Sequence, residues 1–145
     1  MSHREGVDTA ATSAAFEAAI LAAGPGTRSL AERVWRRLDT DRWTLEWQLP
    51  RWLGAAFGLD PALAERLVTS NVLGLASVRI ADDLADGEIP PEDARGAPGL
   101  AAALYEAALA PYRARFEAHH PFWRRLDGWM ATWRSETERA ESSAR

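Results

Sequence analysis

The chain has 145 residues and a formal net charge of −4, and all of its 17 basic residues are arginine. It contains no cysteine, which excludes disulfides, zinc–thiolate sites and thiol nucleophiles and leaves oxygen ligands or histidine for any metal. Acidic balance without a basic stripe argues against a nucleic-acid partner, and the absence of a long apolar run argues against a membrane span or signal peptide, so we expect a soluble cytoplasmic protein.

Helix start and stop signals recur along the chain, and strand alternation bounded by hairpin turns is absent. The sequence therefore predicts an all-α bundle of five to six helices in one domain, residues 1–145. Residues 1–27 are predicted to form an N-terminal arm and a short Ala-rich helix, which ends at Gly24-Pro25-Gly26. Residues 28–86 are predicted to form the core helices, and the first of these begins with Ser29 and Glu32 in capping-box spacing.

The next predicted helix contains Pro50, which indicates a kink, and ends at Gly58. The longest helix then begins with Asp60 as N-cap and Pro61 at its first position, and it runs to the end of the core segment. Residues 87–98 are predicted to be a loop. Residues 99–145 are predicted to form C-terminal helices, with a bend at Pro111, a new start at Pro121 and a polar tail that frays.

The stretch "RIADDLADGE", residues 79–88, ends the longest helix with three aspartates in DDxxD spacing: Asp82, Asp83 and Asp86. Carboxylates at a helix C-terminus are disfavoured by the helix dipole, and a bound cation would relieve that repulsion. Mg²⁺ takes one or two protein carboxylates, keeps several waters and recruits phosphate oxygens. The alternative is a solvated helix end at which Arg79 pairs with Asp82 and Asp83.

Two segments and the helical frame around them together resemble the class I isoprenoid (terpenoid) synthase superfamily, and in particular its bacterial class 1 isoprenoid biosynthesis enzymes. They are "WQLPRWLG", "SNVLGLASVRIADDLADGE" and the all-helical frame around them. The resemblance implies that Mg²⁺ bound to the Asp-rich motif holds the diphosphate of an allylic prenyl diphosphate and promotes its ionisation. Carried over to this sequence, the implied metal ligands are Asp82, Asp83 and Asp86, of which Asp82 and Asp86 are the better candidates.

The resemblance also implies an isoprenoid chamber beside the motif. At about 100° per residue, Asn71 and Leu75 share the helix face of Asp82 and Asp86, so the implied substrate-binding residues on this helix are Asn71, Leu75, Val78 and Arg79. Trp43 and Trp47 would add aromatic faces that stabilise a carbocation. Core packing is the favoured alternative for both tryptophans.

Members of the superfamily pair the Asp-rich motif with a second metal-binding helix farther along the chain. That pattern is not found here, since Asp127 is followed by Ala131 and Ser135 at the next fourth positions. The resemblance thus covers only the N-terminal half of such an enzyme. We expect either a missing C-terminal half or a homodimer in which a second copy supplies a facing Asp-rich helix.

Two other functions are compatible with the sequence. The leading alternative is a non-catalytic helical binding or interaction protein that retains the bundle. A second is a small all-α Mg²⁺ phosphohydrolase, for which Glu136, Glu138 and Glu141 are weak candidates. His119 and His120 are predicted to mark a helix boundary, because adjacent residues on a helix point about 100° apart and do not form a metal pair.

Overall fold

The computed structural model describes residues 9–144, and their regular structure is entirely helical. The helices are α1 (Ala10–Ala23), α2 (Arg28–Leu38), α3 (Thr44–Phe57), α4 (Pro61–Ala85), α5 (Pro91–Ala94), α6 (Ala97–Arg113) and α7 (Pro121–Ser143), with a 3-10 turn at Asp41–Trp43 before α3. The predicted all-α class is confirmed. Residues 1–8 of the predicted N-terminal arm lie outside the described residues.

The number of helices differs from the prediction because the segment 87–98 is not all loop. Pro91 stands at the first position of the one-turn helix α5, where its fixed φ suits a helix start, and α6 begins at Ala97. In the part of the chain that the structure describes, no helix is long and apolar enough to cross a membrane.

The chain divides into two compact units between Pro111 and Tyr112. The first unit contains α1 to α5 and nearly all of α6. The second contains α7 and the residues that precede it, and α6 ends two residues past the division. A single domain over residues 1–145 stays a prediction.

The core of the first unit surrounds α4. The buried apolar residues of α4 are Ala64, Val68, Val72, Leu73, Ala76 and Ile80. All of these except Ala64 belong to one buried cluster with Phe16 of α1, Leu30 of α2 and Leu104 of α6. Full burial of one large apolar side chain contributes about 1.5–3 kcal/mol, so this cluster is the main source of stability for the unit.

Helices α3 and α4 form a close antiparallel pair. Gly58 ends α3 with a left-handed φ of 68°, and the Asp60 carboxylate accepts a hydrogen bond from the Leu63 amide at 3.2 Å, as the capping signals predicted. A Cβ added at Gly54 would stand 3.0 Å from the Cβ of Ala64, so only glycine allows the two helices to approach this closely. This close contact sets both the separation of α3 from α4 and the register of the two helices.

The start of α2 differs from the prediction. The helix begins at Arg28 with Thr27 as N-cap, so Ser29 lies inside the first turn and does not cap it. The Thr27 hydroxyl donates instead to the Gly24 carbonyl at 3.0 Å, across the turn that follows α1. This turn allows α2 to begin earlier than Ser29, because Gly24 and Gly26 both adopt positive φ there.

In the second unit, His120 is the N-cap of α7, and its Nδ1 accepts a hydrogen bond from the Phe122 amide at 3.1 Å. The predicted helix-boundary role of His120 is confirmed. Phe116 follows the end of α6, and its ring stacks with that of Phe122 at a centroid distance of 4.6 Å. In the polar tail, α7 continues to Ser143 and carries an Arg139–Glu136 ion pair of 2.6 Å on its surface, and fraying of this tail stays a prediction.

Candidate metal site at the carboxyl end of α4

The three motif aspartates lie in different surroundings. Asp83 is buried on the side of α4 that faces α2, whereas Asp82 is half-buried and Asp86 is exposed. Because neighbouring residues on a helix are about 100° apart, three aspartates within five positions cannot share one face. The motif therefore divides into an inner carboxylate and two outer ones.

Both oxygens of Asp83 accept hydrogen bonds from arginines. The Arg37 Nη1 donates to Oδ2 at 2.6 Å, and the Arg79 Nη2 donates to Oδ1 at 3.2 Å. Arg79 stands one turn before Asp83 on α4, while Arg37 reaches across from the last turn of α2. Asp83 thus joins α2 to α4 through a partly buried, charge-assisted contact.

A second ion pair repeats this arrangement one turn earlier on α2. Arg33 donates to the buried carboxylate of Asp93 in α5. Since Arg33 and Arg37 are four residues apart, they lie on one face of α2 and hold two buried carboxylates from two different helices. The short helix α5 is attached to the core by this pair.

The outer aspartates lack such partners. Among the residues that the structure describes, neither Asp82 nor Asp86 makes a side-chain ion pair. Burial raises the pKa of the Asp82 carboxyl above its ordinary value, the positive charge of Arg79 opposes this effect, and the negative charges of Asp86 and Asp83 add to it. Asp82 is therefore a carboxylate whose charge is poorly compensated.

The outer aspartates fit a divalent cation with few protein ligands. Asp82 and Asp86 are one turn apart at the carboxyl end of α4, where the helix dipole adds negative potential. Among residues 9–144, no group of three or more His, Asp or Glu side chains comes together to hold a metal. Two carboxylates suit Mg²⁺, which retains waters and phosphate oxygens at its other positions, and do not suit a metal that needs an all-protein cage.

The predicted substrate residues of α4 follow the outer side of this helix. Leu75 and Val78 are half-buried, and Leu75 packs against the core cluster. Asn71 is exposed, and its Nδ2 donates to the Glu46 carbonyl of α3 at 2.7 Å. Asn71 therefore connects α3 to α4.

The two predicted tryptophans take different positions. Trp47 is 1% exposed, its indole N–H donates to the Leu38 carbonyl at 3.0 Å, and its ring meets that of Trp35 edge-on. Core packing, the favoured alternative, describes Trp47 well. Trp43 is half-buried with the Arg42 guanidinium 5.7 Å from its ring centroid.

The cavity nearest to these residues is small. It has a volume of about 10 Å³, and its lining consists of Val34, Arg37, Leu38, Trp43 and Arg79. That space suits about one water molecule and is far below the 300–1,000 Å³ of ordinary ligand pockets. A cleft of about 330 Å³ lies on the other side of α2, lined by Ser13, Phe16, Glu17, Ile20, Glu32, Trp35 and Arg36, and none of the motif aspartates contributes to it.

Arg79 was identified from the sequence as a partner of Asp83, whereas Arg33 and Arg37, which bond to the inner carboxylates from α2, were not. Both arginines are distant along the chain from the carboxylates that they bind: the Arg37–Asp83 contact spans 46 positions and the Arg33–Asp93 contact spans 60. The available signal was the four-residue spacing of Arg33 and Arg37, which places both on one face of α2.

No protein-family model matches this chain, and no curated protein or solved structure is significantly similar to it. The isoprenoid synthase resemblance therefore rests on the sequence motifs and stays a prediction. The geometry at the end of α4 has to be interpreted from its own contacts and charges.

Proposed function

We propose that the carboxyl end of α4 binds the diphosphate group of an allylic prenyl diphosphate through Mg²⁺, as an isoprenoid synthase-like protein would. The observation that carries this proposal is the pair of outer carboxylates, which make no side-chain ion pair with the described residues. Asp82 keeps a raised pKa beside Asp86, while the nearby arginines Arg37 and Arg79 are both bonded to Asp83. Such a pair gains free energy when a cation binds.

The three motif aspartates would have different roles in this site. Asp82 and Asp86 would hold the cation. Asp83 is a positioning residue, since its bonds to Arg37 and Arg79 fix the last turn of α4 against α2. Bound Mg²⁺ would supply electrostatic stabilisation of the negative charge that builds on a departing diphosphate.

The half-buried side chains deeper along α4 would contact the isoprenoid. Leu75 and Val78 lie about one to two turns before the carboxylates, and they offer apolar surface that excludes water from a carbocation. A cavity of about 10 Å³ beside Arg37 and Trp43 does not hold an isoprenoid chain. Turnover in addition to binding would require a larger chamber and further metal ligands, from a second copy or from additional helices.

Calorimetry with Mg²⁺ and inorganic diphosphate tests the binding step. We expect heat only when both are present, and we expect Asp82→Asn and Asp86→Asn each to weaken binding at least tenfold. Asp127→Asn, at an exposed position of α7, is the matched control and should bind as the parent chain does. The absence of heat with the parent chain, or equal binding by Asp82→Asn, would contradict the proposal.

Incubation with prenyl diphosphates of increasing length tests the reaction step. Release of diphosphate that depends on Mg²⁺ and on Asp82 supports a synthase. Binding without release favours the alternative of a non-catalytic helical binding protein.

The alternative of an interaction protein has its own support in the structure. Large apolar side chains remain exposed along one side of α3, among them Trp52 at 54% and Phe57 at 77% exposed. Exposed apolar surface of this kind is typical of sites at which proteins bind one another.

A further inference from the structure

The outer face of α3 is the most apolar exposed surface of the first unit. We define it by five large side chains that are between 38% and 77% exposed: Leu45, Leu49, Trp52, Leu53 and Phe57. The exposed residue Ala56 lies among them. At about 100° per residue these positions fall within an arc of about 140°, so they form one continuous stripe and not scattered exposures.

The stripe carries almost no charge. Arg51 points to the opposite side of α3, where its Nε lies 2.5 Å from the Glu65 carboxylate of α4. Glu46 falls within the same arc near its N-terminal end, but its exposure is only intermediate, and one of its carboxylate oxygens is buried without a hydrogen-bond partner. An apolar surface without charges binds another surface of the same kind, since neither side loses solvation of a charge on contact.

The spacing of the stripe suits a helix partner. Leu45, Leu49, Trp52 and Ala56 are separated by four, three and four residues, which is the repeat of a two-helix seam. In an antiparallel pair related by a two-fold axis, Leu49 of one copy would meet Trp52 of the other, and the small Ala56 would meet Leu45. The same residues then serve both sides, as an isologous interface requires.

The area of the stripe also fits a second copy. Taken at their exposed fractions, the five side chains leave on the order of 500 Å² of apolar surface, which is within the range of the largest patches on monomers. Two such faces in contact would bury on the order of 1,000 Å², about the minimum for a specific interface. A bilayer is a poorer occupant, because helices that lie on membranes carry many basic residues and this chain has a net charge of −4.

We propose that two copies of the chain associate through the outer face of α3, as an antiparallel helix pair about a two-fold axis. This interface does not involve the motif aspartates. The proposal of a dimer can therefore be tested independently of the proposed Mg²⁺–diphosphate site.

Sedimentation equilibrium tests the proposal directly. Over a concentration range from about 1 to 100 μM, we expect the parent chain to approach twice the 16.0 kDa mass of one chain. Trp52→Glu should raise the dimer Kd at least 100-fold, because the two-fold axis places two desolvated carboxylates in one interface. A parent chain that stays monomeric at 100 μM would overturn the proposal.

The matched control is Leu21→Glu, which puts the same charge at a 75% exposed apolar position of α1 away from the stripe. Both variants should keep the circular dichroism spectrum of the parent chain, since neither position is buried. Leu21→Glu and Asp82→Asn should both dimerise with the parent Kd. Loss of the dimer in Leu21→Glu would show that another surface is responsible.

Disulfide trapping provides a second readout that does not depend on disruptive charges. The chain has no cysteine, so each introduced thiol is the only one present. An equimolar mixture of Leu49→Cys and Trp52→Cys chains should form mixed disulfide dimers on oxidation. Leu21→Cys should cross-link only at the slow rate of random collisions between chains. Equal cross-linking of Leu21→Cys, or binding of the parent chain to neutral vesicles in place of dimerisation, would overturn the assignment of a second copy to this face.

Discussion

Helices α3 and α4 each have an inner side, whose side chains are buried or paired within the fold, and an outer side, whose side chains are more exposed and lack such partners. On α4, the inner Asp83 bonds to two arginines, whereas the outer Asp82 stands next to another carboxylate. On α3, the inner Trp47 is buried and donates its N–H to the Leu38 carbonyl, whereas the outer Trp52 is half exposed. Residues of the same type in one helix thus contribute to stability on one side and remain available for binding on the other.

The largest contrast is expected between the two tryptophans. Trp47→Ala should lower the free energy of unfolding by about 3–5 kcal/mol, because it leaves a cavity in the core. Trp52→Ala should change it by less than about 0.5 kcal/mol when measured on monomer. Urea unfolding followed by circular dichroism measures both, and similar losses in the two variants would contradict the contrast.

The inner aspartate should show the next largest effect. Asp83→Asn should lower the free energy of unfolding by about 2 kcal/mol, since it removes the charge from a carboxylate to which both Arg37 and Arg79 are bonded. Arg37 is half exposed and can regain water, which keeps the loss below that of a fully buried pair. Thermal unfolding within experimental error of the parent chain would refute a structural role for Asp83.

The outer aspartate should show a smaller effect of the opposite sign. The pKa of Asp82 is raised in the folded chain, so at neutral pH its charge opposes folding, and Asp82→Asn should raise the free energy of unfolding by about 0.3–1 kcal/mol. The difference should begin to shrink as the pH falls below the raised pKa and should disappear below the ordinary aspartate pKa, where Asp82 is neutral in both the folded and the unfolded chain. A loss of stability in Asp82→Asn at pH 7 would show that the Asp82 charge does not oppose folding, and it would contradict the electrostatic argument for the cation site.

Local signals in the sequence were sufficient for much of the fold. Asp60 and Pro61 mark the start of α4, and Gly24 and Gly58 end α1 and α3, because caps depend on residues within one turn. The helix α5 was missed, since the segment 87–98, with three prolines and three acidic residues, has the composition of a loop even though Pro91 starts a helical turn.

The site was predictable only in part, for a physical reason. Helical geometry separates Asp83 from the face of Asp82 and Asp86, and the structure agrees with that separation. Helical geometry alone does not reveal which of these two faces of α4 packs against another helix. The partner of Asp83 is Arg37, and that contact depends on how α2 packs against α4, which no local pattern encodes.

The close approach at Gly54 and Ala64 has a mechanical consequence. With the Arg51–Glu65 pair beside it and the Asn71–Glu46 contact farther along, α3 and α4 are fastened at three levels. Sliding of α3 along α4 would have to break the contacts at all three levels together. A methyl group at residue 54 would stand within this closest level, so Gly54→Ala would require the neighbouring Ala64 to shift by a few tenths of an ångström and would loosen the helix pair where it is tightest.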